Sequence, residues 1–261
     1  MPKAKKTTSK KAVTPAKSVP KKEVTINLDT FAIPIAIIIV GIMLSLTIFF
    51  VSKGNRDNTN TQGANPTVDE TDDSGIGGDV TLALGDDPYI GDKKKAKVAV
   101  IEFSDYQCGY CKRHTDETFP ELKANYVDTG DIIYVYKEFP LSDSGLGYDT
   151  AVAGTCVFEQ LGGDKFSEFH SGSMGLASAE DVRAQAIAVG VDGGKYDTCV
   201  SSVKFKDEIE ADKAEGGSVG IQGTPGFVVG LIDDNGNVTG PIIAGAYPYE
   251  TFQSAIDALL K

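Results

Sequence analysis

The sequence predicts an α/β or α+β domain with a helical insertion, preceded by one N-terminal transmembrane helix. Three observations lead there. An uncharged run of 23 residues, Thr30 to Ser52, separates a basic tail from an acidic remainder. A continuous apolar run, Lys97 to Phe103, reads as a buried strand and turns into a helical stretch at a Cys-x-x-Cys pair. The later elements then follow as strand, helical block, hairpin and helix. The charge is uneven: residues 1–30 hold eight Lys and two acids, and residues 53–261 hold 17 Lys/Arg and 35 Asp/Glu, within a total of −12. That pattern excludes a plain cytosolic enzyme. The acidic part lacks the basic face that nucleic acid requires. A chain of 261 residues allows one or two domains.

The first element is the span Phe31 to Val51 (FAIPIAIIIVGIMLSLTIFFV), 21 residues long. At ~1.5 Å per residue it matches a hydrocarbon core of ~30 Å. A cleavable signal has a shorter apolar stretch of ~7–15 residues and a small-x-small site, and no such site follows here. The lysines at 3, 5, 6, 10, 11, 17, 21 and 22 precede the span, and only Lys53 and Arg56 follow it closely. The positive-inside rule then keeps residues 1–30 in the cytoplasm, anchors the chain in lipid through 31–51 and puts the rest outside.

Residues 52–80, rich in Asn, Asp, Thr and Gly, read as a flexible acidic linker. A compact domain over 81–261 follows. Its helix at Lys112 to Tyr126 contains Pro120, which predicts a kink. Ile132 to Tyr136 is a second strand. Residues 145–215 read as helical, with a capping box at Ser178 and Asp181 and a stop at Gly190. Phe227 to Leu231 and Val238 to Ala244 flank a turn signal at Asp234-Asn235-Gly236-Asn237. Phe252, Ile256 and Leu259/Leu260 give a last amphipathic helix.

Cys108-Gly109-Tyr110-Cys111 carries the chemistry. Cys108 falls at a helix N-terminus, where free N–H groups and the helix dipole favour a thiolate. A lowered pKa makes it a competent nucleophile and leaving group. Cys111, one turn on, is positioned to resolve a mixed disulfide formed at Cys108. Other readings of these cysteines compete less well. Structural zinc needs four ligands, and Cys156, Cys199, His114 and His170 form no second close pair. A c-type haem needs His at position 112, which is Lys. A structural four-residue disulfide loop is strained. His114 reads as a helix-surface residue. Asp233, Asp234 and Asn235 do not fit a calcium loop, because Val238 stands where Gly is needed. No metal and no bound cofactor are expected.

Phe103-Ser104-Asp105-Tyr106-Gln107-Cys108-Gly109-Tyr110-Cys111 resembles the active-site segment of DsbA-like thiol-disulfide oxidoreductases. Gly91-Asp92 resembles the family's entry segment, Glu138-Phe139-Pro140-Leu141 the end of its second core strand, and Gly223-Thr224-Pro225 its cis-proline loop. The resemblance covers roughly residues 85–261. It implies a thioredoxin fold with an inserted helical domain.

It also implies roles for particular residues. Pro225 would carry a cis bond and present Thr224, with Gly109 and Tyr110 nearby, to a substrate strand; an ordinary trans proline is the alternative. Glu102, the one acid in the first strand, would move a proton to and from Cys111; a solvated carboxylate on an exposed face is the alternative. Related anchored members share a pair like Cys156 and Cys199, which implies a structural disulfide rather than two separate thiols. A bridge of that span would stabilise by ~4 kcal/mol in the chain-entropy model. The family commonly has Pro-His between its cysteines, whereas this chain has Gly109-Tyr110, and that dipeptide tunes the potential.

The expected function is an extracytoplasmic oxidoreductase that introduces disulfides into thiol-containing exported proteins. Its expected reoxidant is a membrane partner of DsbB or quinone-reductase type. Two alternatives stay open: a reductase or isomerase, including one for cytochrome c maturation, and a non-redox anchored chaperone or binding module.

Overall fold

A computed structural model describes residues 76–202 and 204–261. The basic tail, the apolar span 31–51 and most of the linker lie outside the described residues. Among the described residues no helix is long and apolar enough to cross a membrane.

The domain is built on a six-stranded mixed sheet. Its strands are β1 (Ile76–Ala83), β2 (Tyr89–Ile90), β3 (Val98–Ser104), β4 (Ile132–Glu138), β5 (Gly226–Ile232) and β6 (Asn237–Ala244), in the order β1-β6-β5-β3-β4-β2. β3 and β4 are buried along their whole length, as continuous apolar strands at the centre of a covered sheet must be. β3 runs parallel to β4, with Glu102 opposite Tyr136, and antiparallel to β5, with Glu102 opposite Phe227.

The period-two alternation sorts side chains between the two faces. Val98, Val100, Ile132, Tyr134 and Tyr136 pack on one face with Leu122, Phe227, Phe252 and Ile256. Ala99, Ile101, Phe103, Ile133 and Val135 pack on the other with Ile221 and Val228. Parallel pairing requires a crossover. It consists of α1 (Gly109–Arg113), a π-helical turn at His114–Thr118, α2 (Phe119–Leu122) and a second π-helical turn at Lys123–Val127. The irregularity expected at Pro120 takes this form. A proline lacks the N–H of the regular ladder and crowds the preceding turn, and a widened turn directly before α2 accommodates it.

The helical block between β4 and β5 is α3 (Leu146–Leu161), α4 (Gly163–Ser173), α5 (Ala179–Val189), α6 (Gly193–Val200) and α7 (Lys206–Val219). It has its own core of Tyr148, Val152, Phe169, Val182, Ala186 and Ile209. Ser178 caps α5 by accepting from the Asp181 N–H, and Gly190 ends it in the left-handed region, as the capping box and stop signal indicate. Cys156 and Cys199 are bonded, with Cα atoms 6.0 Å apart, so the bridge ties α3 to α6. α7 returns to the sheet, and Gly216 makes that contact: a Cβ there would meet the Phe103 ring at 2.8 Å. The last helix is α8 (Tyr249–Leu259).

One boundary is corrected. Residues 76–80, read as the end of the linker, begin β1, which pairs antiparallel with β6 from Ile76↔Ile243 to Ala83↔Asn237. β1 is an edge strand with only Leu82 buried among its eight residues, so it carries almost no apolar alternation to read.

Candidate functional site

The turn from β3 into α1 is built by Asp105. Its Oδ1 accepts from the Gln107 N–H at 2.7 Å, and its Oδ2 accepts from the Leu141 N–H at 2.8 Å. Its carbonyl accepts from the Cys108 N–H at 3.0 Å. One carboxylate therefore fixes both the helix entry and the loop after β4. The helical insertion closes on the same turn: Gly175 N–H donates to the Tyr106 carbonyl at 2.8 Å, and Gln107 Nε2 donates to the Leu176 carbonyl at 3.0 Å.

Cys108 is the N-cap of α1, with φ −80° and ψ 119°. Its half-buried sulfur accepts from the Cys111 N–H at 3.4 Å. As a thiol it also reaches the Thr224 carbonyl at 3.3 Å. The Thr224–Pro225 bond is cis, which brings the loop's backbone to the sulfur. Beside that loop lies an open cavity of about 290 Å³, lined in part by Gln222, Gly223, Pro225, Ile242 and Ala244. Gly109 is exposed and has open space around it. Tyr110 is 62% exposed, with the Arg113 guanidinium 5.0 Å from its ring centre. Leu141, after the β4 end, is 60% exposed.

The two cysteines are electrostatically unlike. Hydrogen bonding from Cys111, opposed by partial burial and helped by Thr224 and helix N–H groups, pulls the Cys108 thiol down to about 5. Cys111 is fully buried, and desolvation, then Cys108 and the charge of Glu102, pushes its thiol far above the usual range. At neutral pH Cys108 is a thiolate and Cys111 a thiol. A disulfide has no thiolate, so this stabilisation belongs to the reduced protein alone. The folded value lies below the unfolded one of about 8.5, so the benefit is lost as pH falls through 5 and grows upward to the unfolded value. The stability of the reduced form relative to the oxidised form is therefore expected to rise between pH 5 and 8.5. Paired thermal melts of the two forms at pH 4 and pH 8 check this: a difference that does not change with pH contradicts it.

Glu102 is buried and not on a solvated face. Its Oε2 accepts from the Tyr134 hydroxyl at 2.8 Å, while Oε1 has no partner. Desolvation raises its pKa to about 7, against the lowering effect of Tyr134 and Ser104. Such a carboxyl can hold or release a proton at neutral pH, and its charge is felt at Cys111.

His114 is not on the helix surface. It is buried against Phe227 at 4.5 Å and Phe252 at 5.2 Å. It lies one turn beyond Cys111 on the inward face, and Tyr134 gives the imidazole a partner there, with Nε2 3.0 Å from Oη. Tyr134, Tyr106 and Ser104 were not legible as site residues. Parity was the available signal: Tyr134 and Tyr136 share the Glu102 face only once β3 and β4 pair in parallel register. No group of three or more acids, histidines or cysteines that could hold a metal occurs among the described residues.

The family model described as thioredoxin matches residues 83–258. A Rickettsia felis protein named "Putative protein-disulfide oxidoreductase" is 28% identical over 70% of this chain, which spans 63% of that relative's length. "Disulfide bond formation protein D" of Bacillus subtilis is 26% identical over 54% of this chain and 67% of its own. The crystal structure of Wolbachia pipientis α-DsbA1 superposes with a TM-score of 0.57 at 26% identity, covering 69% of this chain and 93% of that one. With the parallel β3–β4 crossover, the cis-proline loop and the helical insertion all present, the chain belongs to the thioredoxin family and has a DsbA-like fold.

Proposed function

We propose that the protein is a thiol-disulfide oxidoreductase that introduces disulfides into exported, thiol-containing proteins. The observation that carries this is the opposed pair: a thiolate at Cys108 beside a buried thiol at Cys111. A substrate thiolate attacks Cys108 Sγ of the oxidised pair, and the Cys108–Cys111 bond breaks. Cys111 leaves with the bond's electrons and takes a proton, because a thiolate is costly where Cys111 lies. Glu102, with its pKa near 7, supplies that proton. A second substrate thiolate attacks the substrate sulfur of the mixed disulfide, and Cys108 departs as its stabilised thiolate. The substrate loses two electrons, and the cysteine pair gains them.

Pro225 and Thr224 would hold the substrate strand beside Cys108, with Gly109 and Tyr110 forming the near wall. A membrane partner of DsbB or quinone-reductase type would reoxidise the pair. In this reading residues 31–51 anchor the chain and the domain works outside the cytoplasm. The support is the sidedness of the lysines at positions 3–22 and the uncharged span that follows. The oxidised full-length protein, mixed with reduced, unfolded ribonuclease, is expected to restore ribonuclease activity as its own pair becomes reduced. No recovery above the uncatalysed control contradicts the proposal.

A further inference from the structure

Beneath the Cys108–Cys111 pair, three buried side chains from separate elements form one chain of hydrogen bonds. The Tyr134 hydroxyl (β4) lies 2.8 Å from Glu102 Oε2 (β3) and 3.0 Å from His114 Nε2 in the crossover. A hydroxyl has a single proton, and here it goes to the carboxylate. Nε2 must then carry the imidazole proton and donate it to Oη, which assigns the tautomer. Glu102 Oε1 and His114 Nδ1 are buried without a partner at hydrogen-bond distance; the buried Ser104 hydroxyl makes no close bond either, but it lies near enough to the carboxyl to help lower its pKa.

The remaining groups around Glu102 supply almost no competing charge. From β4, Tyr136 is held far above its usual range by burial and is neutral; burial also raises Glu138, whose Oε1 accepts from the Tyr106 hydroxyl. From the β3–α1 turn, Tyr106 is held up in the same way. His114, and His170 on α4 beyond it, are pushed down to about 3 by burial and are also neutral. On β5, Phe227 stands opposite Glu102 and packs against Phe252 of α8. Cys111 is a thiol, and among the described residues it is the charge of Cys108 that is felt at the carboxyl.

We infer that Tyr134 is a positioning residue: its hydroxyl, oriented by His114, occupies Oε2 of Glu102, so that the carboxyl's mobile proton sits on Oε1. The inference rests on the proton-transfer reading of Glu102 above. A donor fixed on one oxygen does two things. It stabilises the charged form, and it leaves only the other oxygen to load and unload a proton. Tyr136 is an internal control. It is equally buried on the same strand, but its hydroxyl is paired with Ser167 Oγ at 2.7 Å and not with Glu102.

The test is a carboxyl ¹³C titration of the reduced full-length chain in detergent solution, with the Glu102 signal assigned by its loss in Glu102→Gln. The wild-type midpoint is expected near pH 7. Tyr134→Phe is expected to raise it by about one unit, the worth of one hydrogen bond to a charged group. Tyr136→Phe is expected to leave it in place. If Tyr134→Phe does not fold, His114→Phe replaces it as the test variant, with a smaller upward shift expected. A midpoint unmoved by the folded variant overturns the inference. So does an equal shift in Tyr136→Phe. The catalytic reading of Glu102 is checked apart from this, by the rate at which Glu102→Gln exchanges with glutathione: an unchanged rate defeats that reading while the titration still reports on Tyr134.

Discussion

Cys108→Ser is expected to lower dithiol oxidation by on the order of 10³-fold or more, because the step then has no sulfur for a substrate thiolate to attack. The fold should survive, since Cys108 is only half buried and serine is also a good N-cap. Cys111→Ser is expected to behave differently. It keeps the Cys108 sulfur and the N–H that points at it, but removes the thiol that would resolve a mixed disulfide. Substrates should then accumulate as covalent adducts at Cys108, visible as mass shifts on non-reducing gels and reversed by dithiothreitol. Activity that persists in Cys108→Ser, or adducts that form equally in both variants, would contradict the assignment of Cys108 as the nucleophile. The chaperone alternative predicts no adducts in either variant.

The second large effect concerns stability. Lys137 is 4% exposed on β4, and its ammonium contacts Asp87 at 2.5 Å, Asp212 at 2.9 Å and Glu215 at 2.8 Å. Burial disfavours its charge, but Asp212 and Asp87 outweigh that and hold its pKa above the usual range. Asp212 also accepts from the Glu138 N–H at 2.9 Å, so α7 is fastened to β4 at three points. Lys137→Met leaves Asp87 and Asp212 buried without their counter-charge. Breaking a buried pair in this way costs ~3–5 kcal/mol, a large part of a domain's net stability. The melting temperature should fall by about 10 °C. The loss should be greater at pH 8 than at pH 5. Burial and the charge of Asp87 raise the Asp212 pKa, so its carboxyl is increasingly neutral as pH falls and the missing cation matters less. Restoring part of the loss with Asp212→Asn in the same chain would identify the orphaned charge as the cause. A deficit equal at both pH values contradicts this account.

The sequence carried the parts of the site that local rules fix. Cys108 at a helix start follows from a buried strand running into a helical pattern, and the helical block and final hairpin follow from periodicity and turn residues. Glu102 stood out because a lone acid in an apolar strand demands an explanation, yet its partner Tyr134 lies on another strand, 32 positions away. The rest is tertiary. His114 looked like a surface residue because helical spacing alone does not identify the inward face, and its partner Tyr134 lies on another element. β1 was hidden by its exposure as an edge strand. Lys137 and Asp212 are 75 positions apart, and only the packing of α7 on the sheet joins them.

In the proposed function, stabilisation of the Cys108 thiolate makes the pair an oxidant. Equilibrating the full-length protein with glutathione redox buffers at pH 7 and quantifying the reduced fraction gives the potential of the Cys108/Cys111 couple. A value near the oxidising end of the family's range, ~−120 mV, is expected. A value near ~−270 mV, where thioredoxin itself lies, would contradict it and make the protein a reductase.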